Sequence, residues 1–149
     1  MTQRLFMKNL AILFRHRHRA VRSQLEKYDI GLGEWAVLGL LSHHREGMDQ
    51  TEIARELGLD KTTMARELKS LEKKLYVVRK SDESDRRRKI VFSTERADES
   101  VPKVKDAGKI WLEAVCEGIS KEDIQVFDRI LSQMVTNSQR MIDGGGIDE

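Results

Sequence analysis

Two clusters of side chains in this sequence are suited to holding a polyanion. The first is Lys61, Thr62, Thr63 and Arg66, followed by Lys69, Lys73 and Lys74. Hydroxyls and an arginine can bond base edges, while lysines suit phosphates as point charges. The second is the run Arg86-Arg87-Arg88-Lys89, preceded by Asp85. Four consecutive cations repel one another unless they face an anion, and the neighbouring Asp85 can hold one arginine in a fixed pose. An arginine at such a tip can reach the narrow minor groove of DNA, whose negative potential favours it. Taken singly, each cluster reads equally well as a solvated charged face. Their succession within one short stretch points to nucleic acid. Gln50, Thr51 and Arg79 complete the candidate DNA-contacting set.

Short elements must position these side chains, and the apolar pattern supplies them. Asp49, with Glu52 three residues on, makes a capping-box-like start for a helix buried through Ile53, Ala54 and Leu57. Gly58-Leu59-Asp60 is a tight turn, with glycine supplying the left-handed conformation. Asp60 caps a second helix whose Met64, Leu68 and Leu71 are spaced four and three. The period then changes. Tyr76-Val77-Val78-Arg79-Lys80 reads as a strand, residues 81–85 as a polar turn, and Lys89-Ile90-Val91-Phe92-Ser93 as the return strand. Helix, glycine turn, helix and hairpin over residues 49–94 form a winged helix-turn-helix, whose second helix is free to lie in a major groove.

Flanking helices follow from the same periodicity. Phe6, Leu10, Leu13, Phe14, Val21, Leu25 and Tyr28 mark a long first helix, expected to end at Gly31-Leu32-Gly33. Trp35, Leu38 and Leu41 mark the next. Thr94 opens a helix towards Gly118, striped by Val101, Val104, Ala107, Trp111 and Val115, with a kink or break expected at Pro102. Ser120 with Asp123 opens a last helix carrying Ile124, Phe127, Leu131, Met134 and Met141. The fold class is therefore mainly α with a small β-hairpin wing (α+β).

Composition bounds the rest. Of 149 residues, 35% are charged and 39% apolar, a profile of a helix-rich protein with a thin core that a partner subunit often completes. Net charge is only +2, so the partner is announced by distribution and not by the sum. Arg15, Arg17, Arg19 and Arg22 gather near the N-terminus, while Glu113, Glu117, Glu122, Asp123, Asp148 and Glu149 concentrate late in the chain. The single cysteine, Cys116, excludes an intrachain disulfide and a multi-cysteine metal site, and without a basic neighbour it is expected to be inert. His16, His18, His43 and His44 stand at no metal-site spacing, and neither a nucleophile motif nor a phosphate loop is present. The expectation is a protein that is not an enzyme and needs neither metal nor cofactor. Residues 5–14, broken by Lys8 and Asn9 and followed by Arg15-His16-Arg17, do not read as a secretory leader. No apolar run approaches the ~20 residues of a membrane span. A cytoplasmic location is expected, with no membrane partner.

The stretches QTEIARELGLDKTTMARELKSLEKK, from Gln50, and DRRRKIVFSTER, from Asp85, carry a resemblance to the MarR family of bacterial regulators. The family's wing pattern of Asp, any residue, Arg falls on Asp85 and Arg87. The resemblance implies that Arg87 enters the minor groove, that Asp85 helps to position it, and that the first and last two helices form a homodimer interface. It divides the chain into an N-terminal dimerisation helix (1–32), a winged helix-turn-helix lobe (33–96), C-terminal dimerisation helices (97–143) and a disordered tail (144–149). It further implies a small aromatic or phenolic effector, for which Phe14, His18, Trp35, Leu38 and Trp111 are candidate lining residues, with ordinary core packing as the competing role for each. Two glycines usual in the family are replaced. Leu75 follows the recognition helix and Ala97 follows the wing. A non-glycine residue in a left-handed position costs on the order of 1 kcal/mol, which a fold can absorb.

These features together imply a sequence-specific transcription regulator, a repressor, that binds a near-palindromic duplex as a homodimer. The alternative is a winged-helix architectural or protein-interaction module without operator readout, against which the basic wing argues.

Overall fold

The structure is a computed structural model that describes residues 2–144. Six helices and three short strands follow one another as α1 (Thr2–Lys27), α2 (Leu32–Leu41), β1 (Met48–Asp49), α3 (Gln50–Leu57), α4 (Lys61–Lys73), β2 (Val77–Ser81), β3 (Lys89–Ser93), α5 (Glu95–Val115) and α6 (Lys121–Asp143). The antiparallel sheet has the order β1-β3-β2. Val77 pairs with Ser93 and Ser81 with Lys89 across the hairpin, while Met48 and Asp49 pair with Val91 and Ile90. The chain divides into two compact units, one up to Trp111 and one from Leu112. The expected glycine tail lies outside the described residues from 145 onwards, and Gly144 caps α6. Among the described residues no helix is long and apolar enough to cross a membrane.

The first unit holds the core. Val21 and Leu25 of α1, Val37, Leu38 and Leu41 of α2, Ile53 of α3, Met64, Leu68 and Leu71 of α4, Val91 of β3 and Val104 of α5 are all buried. The spacing of four and three on α4 therefore buries one face and leaves the opposite face to carry charge.

Several boundaries depart from the sequence expectation. The first helix does not run to the glycines. Asp29 adopts a left-handed φ of 54° and ends it, with Ile30 N–H bonding Leu25 C=O at 2.9 Å. Gly31 instead precedes α2, where its N–H is taken by the Glu34 carboxylate at 2.6 Å. The first wing strand begins at Val77, because Tyr76 belongs to the helix ending before it. Leu75 N–H bonds Glu72 C=O and Tyr76 N–H bonds Leu71 C=O, a Schellman ending with Leu75 left-handed at φ 64°. The replaced glycine thus marks a real left-handed turn. The two-residue β1 was not legible, being too short for any alternation. Helix α5 continues through Pro102 without a break. One missing backbone bond costs less than the burial of Val101 and Val104 contributes on the adjoining turn.

Candidate nucleic-acid interface

The two helices of the turn are held by caps that the sequence encodes locally. The Asp49 carboxylate accepts the Thr51 N–H at 2.8 Å and starts α3. Gly58, at φ 64°, ends it with bonds from Gly58 N–H to Arg55 C=O and from Leu59 N–H to Ala54 C=O. Asp60 then caps α4, accepting the Thr63 N–H at 2.7 Å and the Thr63 hydroxyl at 2.9 Å. These bonds, the backbone N–H of Thr63 foremost, hold the Asp60 carboxyl below the usual carboxylate range.

That cap sorts the candidate readers on α4. The Thr63 hydroxyl is spent on Asp60, so Thr62 is the exposed threonine at the leading turn. Lys61 and Lys69 are exposed. Arg66 is exposed and bonds its neighbour Glu67 at 3.0 Å, which leaves its guanidinium at the surface. Lys73 is exposed, whereas Lys74 turns inward. Its ammonium bonds Glu34 Oε2 at 2.9 Å and Asp29 C=O at 2.8 Å. Burial pushes the Glu34 carboxyl up, but the Gly31 N–H, the Ser70 hydroxyl and Lys74 outweigh it and hold Glu34 below its ordinary range. This strut between the start of α2 and the end of α4 was not visible in the sequence, since its partners lie 40 residues apart.

The turn after α4 is gripped from two sides. Tyr76 donates its hydroxyl to Tyr28 C=O at 2.5 Å, and the Thr94 hydroxyl bonds Leu75 C=O at 2.7 Å. Arg96 bonds Lys74 C=O at 2.6 Å and stacks on the Tyr76 ring. The residue that replaces glycine is thereby pinned by its neighbours in space.

The wing separates its cations into two kinds. Asp85 accepts the Arg87 N–H at 3.0 Å through its carboxylate and the Arg88 N–H at 2.9 Å through its carbonyl, shaping the tip backbone. It positions the main chain of Arg87, where the sequence had pointed to the side chain. Arg86 and Arg87 stand exposed with no acidic partner among the described residues. Arg88 instead bonds Asp49 at 3.1 Å, Lys89 bonds the Ser81 hydroxyl at 2.7 Å, and Arg79 bonds Glu72 at 2.5 Å and Gln50 at 3.5 Å. Hydrogen bonding to Glu72 raises the Arg79 pKa, against the effect of burial. Thr51 is exposed, with its N–H committed to the cap.

The five effector candidates differ in burial. Trp35 and Leu38 lie in the core, Phe14 is largely exposed, and His18 and Trp111 are half-buried. A cavity of about 370 Å³ between the end of α1 and the middle of α5 is lined by Gln24, Lys27, Tyr28, Lys103, Asp106, Ala107 and Ile110, none of them a candidate. Cys116 is a half-buried free thiol.

Residues 28–88, which span the second helix, the helix-turn-helix and most of the wing, match the model of the MarR family. Over that stretch the chain is similar to the MarR family. It is similar to the HTH-type transcriptional regulator YybA of Bacillus subtilis, 26% identical over 119 residues that cover 79% of each chain. A MarR transcriptional regulator from Methanosarcina mazei superposes with a TM-score of 0.80 at 27% identity, covering 93% of this chain and 99% of that one. CouR from Rhodococcus jostii, solved with p-coumaroyl-CoA bound, superposes with a TM-score of 0.75 at 25% identity, covering 85% and 88%. The chain is accordingly a winged helix-turn-helix transcriptional regulator.

Proposed function

We propose that this protein represses transcription by binding a near-palindromic operator as a homodimer, acting by occupancy and not by catalysis. In each protomer α4 lies in a major groove, with Thr62 and Arg66 at base edges and Lys61 and Lys69 at phosphates. The wing tip lies over the adjoining minor groove with Arg86 and Arg87. The observation that carries this is the pairing of cations. Lys61, Lys69, Arg86 and Arg87 are exposed and lack acidic partners among the described residues, on elements otherwise pinned by caps and ion pairs.

Two further features support a second copy. On α1, Leu5, Met7 and Phe14 are exposed, and on α6 so are Phe127, Ile130, Met134 and Met141, with no buried residue on that helix. Apolar faces of this kind are costly in water and are covered by association. The similarity to CouR, a protein with an aromatic acyl-CoA bound, supports release by a small aromatic effector that favours one lobe spacing over the other. Cytoplasmic action fits this role.

Selection of bound sequences from a random duplex library is the direct test. The expected outcome is an inverted repeat whose half-sites lie about 10 bp apart, or a multiple of that. Recovery of no preferred sequence, or a monomer at working concentration, overturns the proposal.

A further inference from the structure

Among the four consecutive wing cations, Arg88 is set apart by where its guanidinium goes. Its Nε bonds Asp49 Oδ2 at 3.1 Å, and its Nη1 lies 3.7 Å from Asp82 Oδ2. Asp49 is only 14% exposed and already has two structural tasks: it caps α3 through the Thr51 N–H, and it pairs with Ile90 in the sheet. Asp82 closes the wing, its N–H bonding Arg88 C=O at 3.1 Å while its carboxylate holds the Ser84 hydroxyl and N–H. Arg88 therefore joins the loop of the wing to the first residue of the helix-turn-helix.

We propose that Arg88 is a positioning residue and not a DNA contact, and that the Asp49–Arg88 joint fixes the wing tip to the start of the helix-turn-helix, so that the two act as one rigid reader. This rests on the operator-binding reading above. Without the joint, the wing is tied to the helices by backbone pairing and by Arg79 on the other strand. Arg86 and Arg87, which have no acidic partner among the described residues, are then ordered only on docking, and ordering at an interface weakens binding. Arg88 keeps 52% of its side chain exposed, so solvent screens the pair, it adds little to global stability, and the consequence belongs to affinity. The direct-contact alternative makes the opposite forecast. If Arg88 serves phosphate, Asp49 competes with the DNA for it, and neutralising Asp49 strengthens binding.

Asp49→Asn separates the two, because asparagine caps a helix as well as aspartate does and only the charge is lost. With the joint, Asp49→Asn weakens operator binding roughly two- to tenfold and leaves the dependence on salt unchanged. Arg88→Gln does the same, Arg88→Lys retains most of the affinity, and the double variant Asp49→Asn/Arg88→Gln is no weaker than Arg88→Gln alone. Tighter binding by Asp49→Asn, or a salt slope that falls by about 0.9 per protomer in Arg88→Gln, overturns the proposal. Amide hydrogen exchange on the DNA-free protein reads the joint directly. Exchange at the Asp82 and Arg88 amides rises in Asp49→Asn if the joint holds the wing, and unchanged exchange overturns it. Failure of the parent protein to select any operator would instead refute the operator reading, with the exchange result still deciding the joint.

Discussion

Replacing Lys74 by methionine tests whether the recognition helix is anchored by its inward-facing ion pair. The substitution keeps the aliphatic stem and deletes the ammonium that bonds Glu34 Oε2 and Asp29 C=O. Glu34, with its side chain 3% exposed, is left as a buried carboxylate that has lost its charged partner among the described residues. Stranding one member of a fully buried pair costs about 3–5 kcal/mol. Lys74 keeps 24% of its side chain exposed, so solvent screens part of the attraction, and about 2–3 kcal/mol is the working figure. For a chain of this size that corresponds to a fall in Tm of roughly 4–12 °C.

Urea denaturation at fixed protein concentration measures this, since association would otherwise add to the apparent stability. Adding Glu34→Gln to Lys74→Met removes the stranded charge while keeping an acceptor for the Gly31 N–H, and should restore at least about half of the loss. The pH dependence carries a sign. Glu34 is held below its ordinary range in the folded protein. Its contribution in the parent is therefore fully present above the unfolded value, about 4.3, and lost as pH falls through the lower folded value. The gap between parent and Lys74→Met should accordingly narrow in acid. A loss below about 1 kcal/mol, or a double variant that sums two separate losses, would refute the anchoring role.

Three further outcomes follow from the same geometry. Arg87→Ala should weaken binding to all duplexes alike and lower the salt slope by about one unit per protomer, read from binding isotherms at several salt concentrations. Arg66→Ala should relax preference at one base pair per half-site, by about 1–3 kcal/mol of discrimination, which a repeat of the library selection would reveal as a flattened position. Tyr76→Phe removes the hydroxyl bonded to Tyr28 C=O inside the core and should cost about 1 kcal/mol in chemical denaturation, with no change in which sequence is bound.

Local chemistry made most of the frame legible. The caps and turn at Asp49, Gly58 and Asp60 act within five residues of their partners, so they could be read directly, as could the buried spacing of Met64, Leu68 and Leu71. Leu75 was recognisable as an occupant of a left-handed position through the resemblance alone, since the resembled family usually has glycine there. What each cation does was not legible. Arg86, Arg87, Arg88 and Lys89 are equivalent as a string, yet two have no acidic partner among the described residues, one reaches Asp49 across 39 positions and one bonds the facing strand. Lys74 looked like one more phosphate lysine until the fold brought Glu34 beside it. A long cationic side chain has several partners within reach, and periodicity carries no information about which is nearest. Only the packing of α2 on α4, and of the wing on the start of α3, decides whether a charge is held by the protein or left for DNA.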